Sequence, residues 1–414
     1  MVGRCYVAAL ELGKGELPPR PKLGRRRSTA LPGLISLGLS VALQCILAQT
    51  ALAQEPPIEI RKPTTQLIPI NISGFTGEAD AVLRFDLSVL GLETTTPDKA
   101  DYLISGTANG QLEGRLKRGG GGAEVFSRTY SSGDARAEAH AFANDIVKVI
   151  RETTPIFLSR IAYCQSMGRD WEVFVSDYDG HNPVQMTHDS LVATPAWSPG
   201  GRKLFYTSWK TSFTQIIEQD ITTGKRSVFS AYGGANLSPA VSPDGRHVAL
   251  VLSKAGSPNL YVCDSDGGNL RELTHGRDDV SSPTWSPDSR EICYVERPGR
   301  ATLRKISASG GDSVPLRIGI GGNLTAPDWS PDGKKIIFTS GSVNFNICVT
   351  SPDGGDAEVL VSGEDPCWAP NSRTVIFTKR VNHQRILSLL DVPTKHVKDV
   401  GQISGSRSQP AWAR

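Results

Sequence analysis

The chain's 414 residues are enough for two or three domains, and 38% of them are apolar, an ordinary share for a globular protein. Its formal charge is +3, from 45 Lys and Arg against 42 Asp and Glu. Residues 1–53 hold seven of those bases and two of the acids, so the remainder stands at −2 and offers no electrostatic footprint for nucleic acid.

The first element is a leader. Arg25, Arg26 and Arg27 precede LPGLISLGLSVALQCILAQ, an uncharged apolar stretch, and Ala51 and Ala53 put small residues at −3 and −1 of a cut after Ala53. That order describes a secretory signal peptide over 1–53. An uncleaved N-terminal anchor is the alternative; against it stand Pro32 inside the segment and the lack of a basic stop-transfer cluster behind it. Gln44 is too large for a lipoprotein site at Cys45, and the paired arginines are a weak sign of twin-arginine export. After cleavage no direct membrane span is expected.

Residues 54–63, QEPPIEIRKP, are polar and proline-bearing and read as a free arm. A small α/β domain is expected over 64–154. TTQLIPINI reads as a strand and GEADAVLRFDLSVLGL as a helix. KADYLISGTA and AEVFSRTY follow as strands with a loose glycine connection at 119–122 between them, and GDARAEAHAFANDIVKVIRETTP is a helix ended by Pro155.

From 155 to 414 one phrase recurs: TPAWSPGGRKLFYTS, SPAVSPDGRHVALVLS, SPTWSPDSREICYVE, TAPDWSPDGKKIIFTS and DPCWAPNSRTVIFTK, with a truncated QPAWAR at the end. Its marker residues are Trp197, Val241, Trp285, Trp329, Trp368 and Trp412, spaced 44, 44, 44, 39 and 44 residues apart. A fixed period in the forties with several short strands per unit is the mark of a β-propeller. Within a unit, TAPDW is a short extended segment whose Pro327 keeps its neighbour out of the helical region. Ser330-Pro331-Asp332-Gly333 is a turn, and KKIIFTS, NFNICVTS and AEVLVS are three further strands. The segment FLSRIAYCQSMGRDWEVFVSDYDG has middle strands but no marker phrase before it, while QPAWAR has no strands after it. The two complete each other. The expected fold is therefore mostly β, a six-bladed propeller closed by a C-terminal strand at 409–414 and preceded by the small α/β domain. The tryptophans are expected to pack between neighbouring blades.

Catalytic chemistry is hard to place on this pattern. There is no Gly-x-Ser-x-Gly elbow, no His-Glu-x-x-His, no phosphate loop and no EF-hand. The histidines, His140 among them, are scattered and read as solvated loop or strand residues. The cysteines Cys164, Cys263, Cys293, Cys348 and Cys367 are odd in number and read as buried free thiols, although export would permit disulfides. Asp328 lies beside Trp329 on an inner strand, where it either holds a cation in the channel or serves as a hydrogen-bonded carboxylate. No other cofactor is expected. The six inter-blade loops, at 188–194, 231–238, 275–282, 319–326, 361–366 and 402–409, are rich in Gly, Ser and Asn and form one face suited to another protein.

Leader, small α/β domain and six blades sealed by a C-terminal PAW strand together resemble the TolB family, the periplasmic propeller component of the Tol-Pal system. RIAYCQ…VFVSDYDGHNPVQMT, PAWSPGGRKLFYTS and LSKAGSPNLYVCDSDGGNLRELTHGR carry the resemblance over 155–414; over 59–154 only the order of elements agrees. The resemblance implies a non-enzymatic periplasmic scaffold. It implies a Pal-like peptidoglycan-associated lipoprotein on the propeller face and a TolA-like inner-membrane protein on the arm at 54–63, together supporting outer-membrane integrity and division. Carried over by position, the partner contacts fall on Ala235, Asn236, Ser238 and Ser281; the neighbouring rim adds Arg277, Asp278 and Asp279. This chain has Ala235 where the family often shows a His. Two other readings remain open: an enzyme or carbohydrate-binding propeller working in the channel on Asp328, Asp278 and Asp279, and a TolB-like propeller outside any Tol complex.

Overall fold

The computed structural model describes residues 65–414 apart from 190, 211–212, 342 and 402–404. The expected leader over 1–53 and the arm over 54–63 lie outside the described residues. Among those described, the strands form one five-stranded sheet and six four-stranded sheets.

The five-stranded sheet belongs to the small α/β domain. In chain order its elements are β1 (Ile68–Ser73), α1 (Gly77–Val89), β2 (Leu92–Thr94), β3 (Tyr102–Ala108), β4 (Leu112–Arg118), β5 (Glu124–Tyr130) and α2 (Ala135–Ile150). The strand order is β2-β1-β3-β4-β5; β1 runs parallel to β2 and β3, and the β3-β4-β5 meander is antiparallel. Leu83 and Leu87 of α1 and Phe142 and Ile146 of α2 share a core with Ile70, Ile104, Leu112 and Leu116 of the sheet. Asp134 caps α2, its carboxylate accepting from the backbone of Arg136 at 2.9 Å and Ala137 at 3.3 Å.

Two strands here are not anticipated from the sequence: β2, three residues long, and β4, which lies just ahead of the glycine connection expected at 119–122. Leu112 and Leu116 of β4 face the core, but the inward position between them is Gly114. A Cβ there would stand 2.5 Å from the Phe142 ring, so the alternation that marks a strand loses its middle apolar residue to make room for an aromatic.

The propeller is as expected. The second blade comprises Val192–Trp197, Lys203–Ser208, Gln215–Asp220 and Arg226–Ser230; the third Asn236–Val241, His247–Leu252, Asn259–Asp264 and Arg271–Glu272. The fourth comprises Asp279–Trp285, Glu291–Arg297, Thr302–Ser307 and Val314–Pro315; the fifth Asn323–Trp329, Ile336–Gly341, Asn346–Ser351 and Gly354–Ser362. Glu364–Trp368, Thr374–Val381, Gln384–Asp391 and His396–Asp399 make the sixth. The first blade is composite. Arg160–Met167, Asp170–Asp177 and Val184–Gln185 receive their innermost strand from Arg407–Trp412, which pairs antiparallel with Arg160–Met167 and seals the ring. Several outermost strands are only two residues long, which blunts their exposed edges.

The marker tryptophans are buried between blades. Trp285 sits in a cluster with Ala249, Val251 and Leu260 of the preceding blade, and its indole donates to Ala240 O at 2.9 Å. Trp197 donates in the same way to Ala411 O at 3.1 Å, across the seam. Val241 replaces the indole once, against Phe205, Ile216 and Val248. The five described cysteines are free thiols, and burial pushes the Cys293 and Cys367 thiols up to about 12.

The α/β domain and the propeller are a single compact unit. Their cores are continuous: Leu83, Leu87 and Ile146 cluster with Phe157, Tyr178 and Trp412 of the first blade and Leu387, Leu389 and Val400 of the sixth. A polar knot lies at this junction. Asp86 of α1, fully buried, accepts from the Tyr178 hydroxyl and lies 2.7 Å from His140 Nδ1 of α2, while Arg136 of α2 pairs with Asp179. His140 is thus not the solvated residue expected from sequence. It projects from the side of α2 that the propeller covers, a burial that helical periodicity within one domain does not reveal. The junction lies on the face that carries the turns after the first and third strands of each blade, since Tyr178 and Asp179 belong to one of those turns. The loops between blades form the other face.

Candidate channel and rim

The six inner strands enclose a channel of about 540 Å3. Its wall repeats one device. The residue before each inner-strand proline has a left-handed φ near +50°: Thr194, Ser238, Ser282, Ala326, Asp365 and Gln409. At each of these positions the pairing with the second strand slips. The sequence expectation of a plain extended segment is therefore wrong at this one residue per blade. Proline has no N–H to continue the ladder, so the chain bulges there, and the freed backbone N–H turns to the neighbouring blade. Thr194 N donates to Gln409 Oε1 at 2.8 Å, Asp365 N to Thr339 Oγ1 at 3.1 Å and Gln409 N to Asp365 Oδ2 at 3.3 Å. A non-glycine residue in this region costs about 1–3 kcal/mol, and the cross-blade bonds hold it in place.

Asp328 is a hydrogen-bonded carboxylate. Oδ2 accepts from Trp368 N at 2.7 Å and from the guanidinium of Arg414, and Oδ1 accepts from Thr284 Oγ1 at 3.2 Å. Arg414, the last residue, also donates to Trp368 O at 3.1 Å and lies at the turn end of the channel, where its own carbonyl accepts from Gly200 N at 2.7 Å. Nothing in the repeat announces this, because Arg414 stands outside the pattern. Among the described residues no group of three or more His, Cys, Asp or Glu is placed to hold a metal ion.

Asp365 is the one acid in the ring of residues before the prolines. Burial, reinforced by the adjacent Glu364 carboxylate, pushes its carboxyl from an ordinary 3.8 up to about 6. An acid whose folded value is raised lends stability below its unfolded value and loses it as pH rises through the folded one, here between about pH 4 and 6. Asp365→Asn is therefore expected to be more stable than wild type at pH 7.5, by up to about 3 kcal/mol. The gap should close at pH 4. Paired urea titrations at the two pH values measure it, and a gap independent of pH would refute the assignment.

The rim residues singled out from sequence divide into three groups. Arg277, Asp278 and Asp279 are exposed together on the loop entering the fourth blade. Ser238 lines the channel. Asn236 is fully buried instead. Its Oδ1 accepts from Ser230 Oγ at 2.7 Å and Tyr232 N at 2.9 Å, and its Nδ2 donates to Tyr232 O at 2.7 Å, so it shapes the loop and has no amide group left for a guest. Ala235, half-buried, donates its N–H to Ser253 Oγ at 2.7 Å. Ser281 is half-buried in strand pairing opposite Val295. Beside them, Lys254 Nζ lies 5.0 Å from the ring centres of both Tyr232, which is exposed, and Tyr261, a feature no motif marks.

Known proteins match this architecture. A family model described as the TolB beta propeller domain matches residues 148–414. The Tol-Pal system protein TolB of Anaeromyxobacter dehalogenans (strain 2CP-C) is 29% identical over 290 residues, covering 58% of this chain and 65% of that protein. The protein of the same name from Francisella tularensis subsp. mediasiatica (strain FSC147) is 35% identical over 149 residues, 34% of each chain. The chain thus spans less than two thirds of the length of these curated relatives. The crystal structure of TolB from Acinetobacter baumannii superposes with a TM-score of 0.76 at 21% identity, over 84% of this chain and 97% of that one, a likeness of fold.

Proposed function

The chain belongs to the TolB β-propeller family, and from that premise we propose that it is a non-enzymatic, protein-binding scaffold of the Tol-Pal system in the periplasm. The observation that carries this reading is the division of the ring's two faces. The α/β domain occupies the turn side of the first and sixth blades through a continuous core, while the inter-blade loops surround the opposite channel mouth and expose Arg277, Asp278 and Asp279. A rigid ring with small polar loops recognises another protein through backbone groups and bridging water.

On this reading the loop face takes a peptidoglycan-associated lipoprotein, and the arm at 54–63, freed by cleavage after Ala53, takes a TolA-like inner-membrane protein. The resulting link supports outer-membrane integrity and its invagination at division. Calorimetry with the peptidoglycan-associated lipoprotein of the same organism is expected to show saturable binding. Replacing Arg277, Asp278 and Asp279 together by Ala should weaken it about tenfold, chiefly through a slower association rate, with the melting temperature unchanged because all three are exposed. No binding by the intact chain would remove the reading.

A further inference from the structure

A second cavity lies on the turn face, between the third and fourth blades. It holds about 420 Å3, and three basic side chains, His247, Arg271 and Arg290, line it. Arg271 leaves the outer strand of the third blade and reaches the fourth, where its guanidinium donates to Ala308 O at 3.2 Å and Ser309 O at 3.3 Å. Those partners are neutral, and among the described residues Arg271 has no ion pair. Arg290 comes only within 3.9 Å of Asp288, whose carboxylate already accepts from Ser286 Oγ at 2.6 Å. His247 lies 3.8 Å from Asp264, which accepts from Asn269 at 2.6 Å. Two guanidiniums and an imidazole therefore line one groove, with Asp288 and Asp264 at its edge, each 3.8 Å or more from the basic side chain it faces. Ser307 and Ser309 add hydroxyls 2.7 Å apart; they share one proton and leave another to donate inward.

The groove's arginines can be compared with the other blades. A basic residue recurs at the position of Arg290, as Arg202, Arg246, Lys334 and Arg373. In the next groove the register places Val314 at the position of Arg271 and Lys305 at that of Val262, and Lys305 stands 3.5 Å from Glu291 and 3.8 Å from Asp353. Arg271 and Arg290 line this groove together with apolar Val262 and Ala308, so that an anion entering it meets two guanidiniums.

We propose that this groove binds a phosphate group, as a monoester or diester. Two guanidinium forks match pairs of phosphate oxygens, and the hydroxyl pair answers another. The site is independent of the loop face and of any lipoprotein bound there. Its ligand is either a soluble phosphorylated compound or the headgroup of an anionic lipid.

The test is calorimetry on the full chain with inorganic phosphate and glycerol 3-phosphate, at ionic strength held constant with NaCl. Saturable one-to-one binding is expected. Arg271→Gln and Arg290→Gln should each weaken it about tenfold or more, whereas Arg202→Gln, at the same repeat position two grooves away from the site, should leave it unchanged. Arg271 also ties two blades together, so its melting temperature is measured alongside; Arg290, whose side chain is 85% exposed, carries the test if Arg271→Gln unfolds. Sedimentation with phosphatidylglycerol vesicles separates the sources. Co-sedimentation lost in Arg290→Gln and competed by glycerol 3-phosphate identifies a lipid headgroup; soluble binding without co-sedimentation identifies a free compound. Neither soluble nor vesicle binding, or equal binding by wild type and the two variants, overturns the proposal.

Discussion

Deleting residues 407–414 is expected to lower the thermal midpoint of the chain by about 10 °C or more, or to abolish cooperative unfolding altogether. Three losses combine. The loss of the strand Arg407–Trp412 leaves Arg160–Met167 without its inner partner, breaking the ladder between them and making Arg160–Met167 an open edge. Trp412 goes with it; its ring stacks on Tyr178 at 6.2 Å and its indole donates to Ser159 Oγ at 2.7 Å, inside the core that joins the propeller to the α/β domain. Removing a buried Trp alone costs about 3–5 kcal/mol, against a total stability of about 5–15 kcal/mol for a typical protein. The guanidinium of Arg414 also leaves Asp328 with one donor fewer at the end of the channel. Trp412→Ala isolates the middle loss and should account for about half of the destabilisation. Urea denaturation followed by Trp emission measures both. A truncated chain with wild-type midpoint and slope would show that the ring does not depend on its seam.

Asp86→Ala is expected to cost about 3–5 kcal/mol, the range for removing one member of a buried polar pair. The carboxylate has no exposure to solvent and serves two partners from different parts of the chain: His140 of α2 and Tyr178 of the first blade. Burial raises its carboxyl above the usual range, and the bonds from His140 and Tyr178 oppose that rise. Without it, a phenol and an imidazole remain buried with no acceptor between them. Because the knot spans the junction, the loss should also uncouple the two parts, so that α-helical ellipticity falls before Trp emission changes. Asp86→Asn keeps an acceptor and the volume and should recover part of the stability. Asp80→Ala is the control; its pair with Arg84 is a partly exposed helical one worth less than 1 kcal/mol. Equal effects at positions 80 and 86 would contradict the account.

What the sequence made legible follows from repetition. Five full copies of a turn-bearing unit, led by one that lacks its marker and followed by a marker that lacks everything else, require a ring that shuts on itself, and Arg407–Trp412 pairs where that logic puts it. The features it concealed are those in which one copy answers to another part of the chain. Gly114 is silent until Phe142 is seen above it. His140 looks solvated until the first blade covers its side of α2. Asn236 looks like a contact because its loop is a rim loop, yet its amide is spent on that loop's own backbone. The prolines were visible, but not the left-handed residue before each, because that conformation depends on a hydrogen bond from the adjacent blade. Arg414 and Asp328 meet across 86 positions, and neither is foreshadowed by its own copy of the phrase.

The seam also dictates an order of events during synthesis. Arg407 reaches Gln165 across 242 positions, so the first blade waits for the five that follow it to be synthesised before it is finished. Through that interval Arg160–Met167 can template any extended stranger, and a nascent neighbour is the commonest one. A stop just ahead of Arg407 would thus yield an aggregation seed rather than a slightly shorter protein. Quality control has every reason to inspect this tail last.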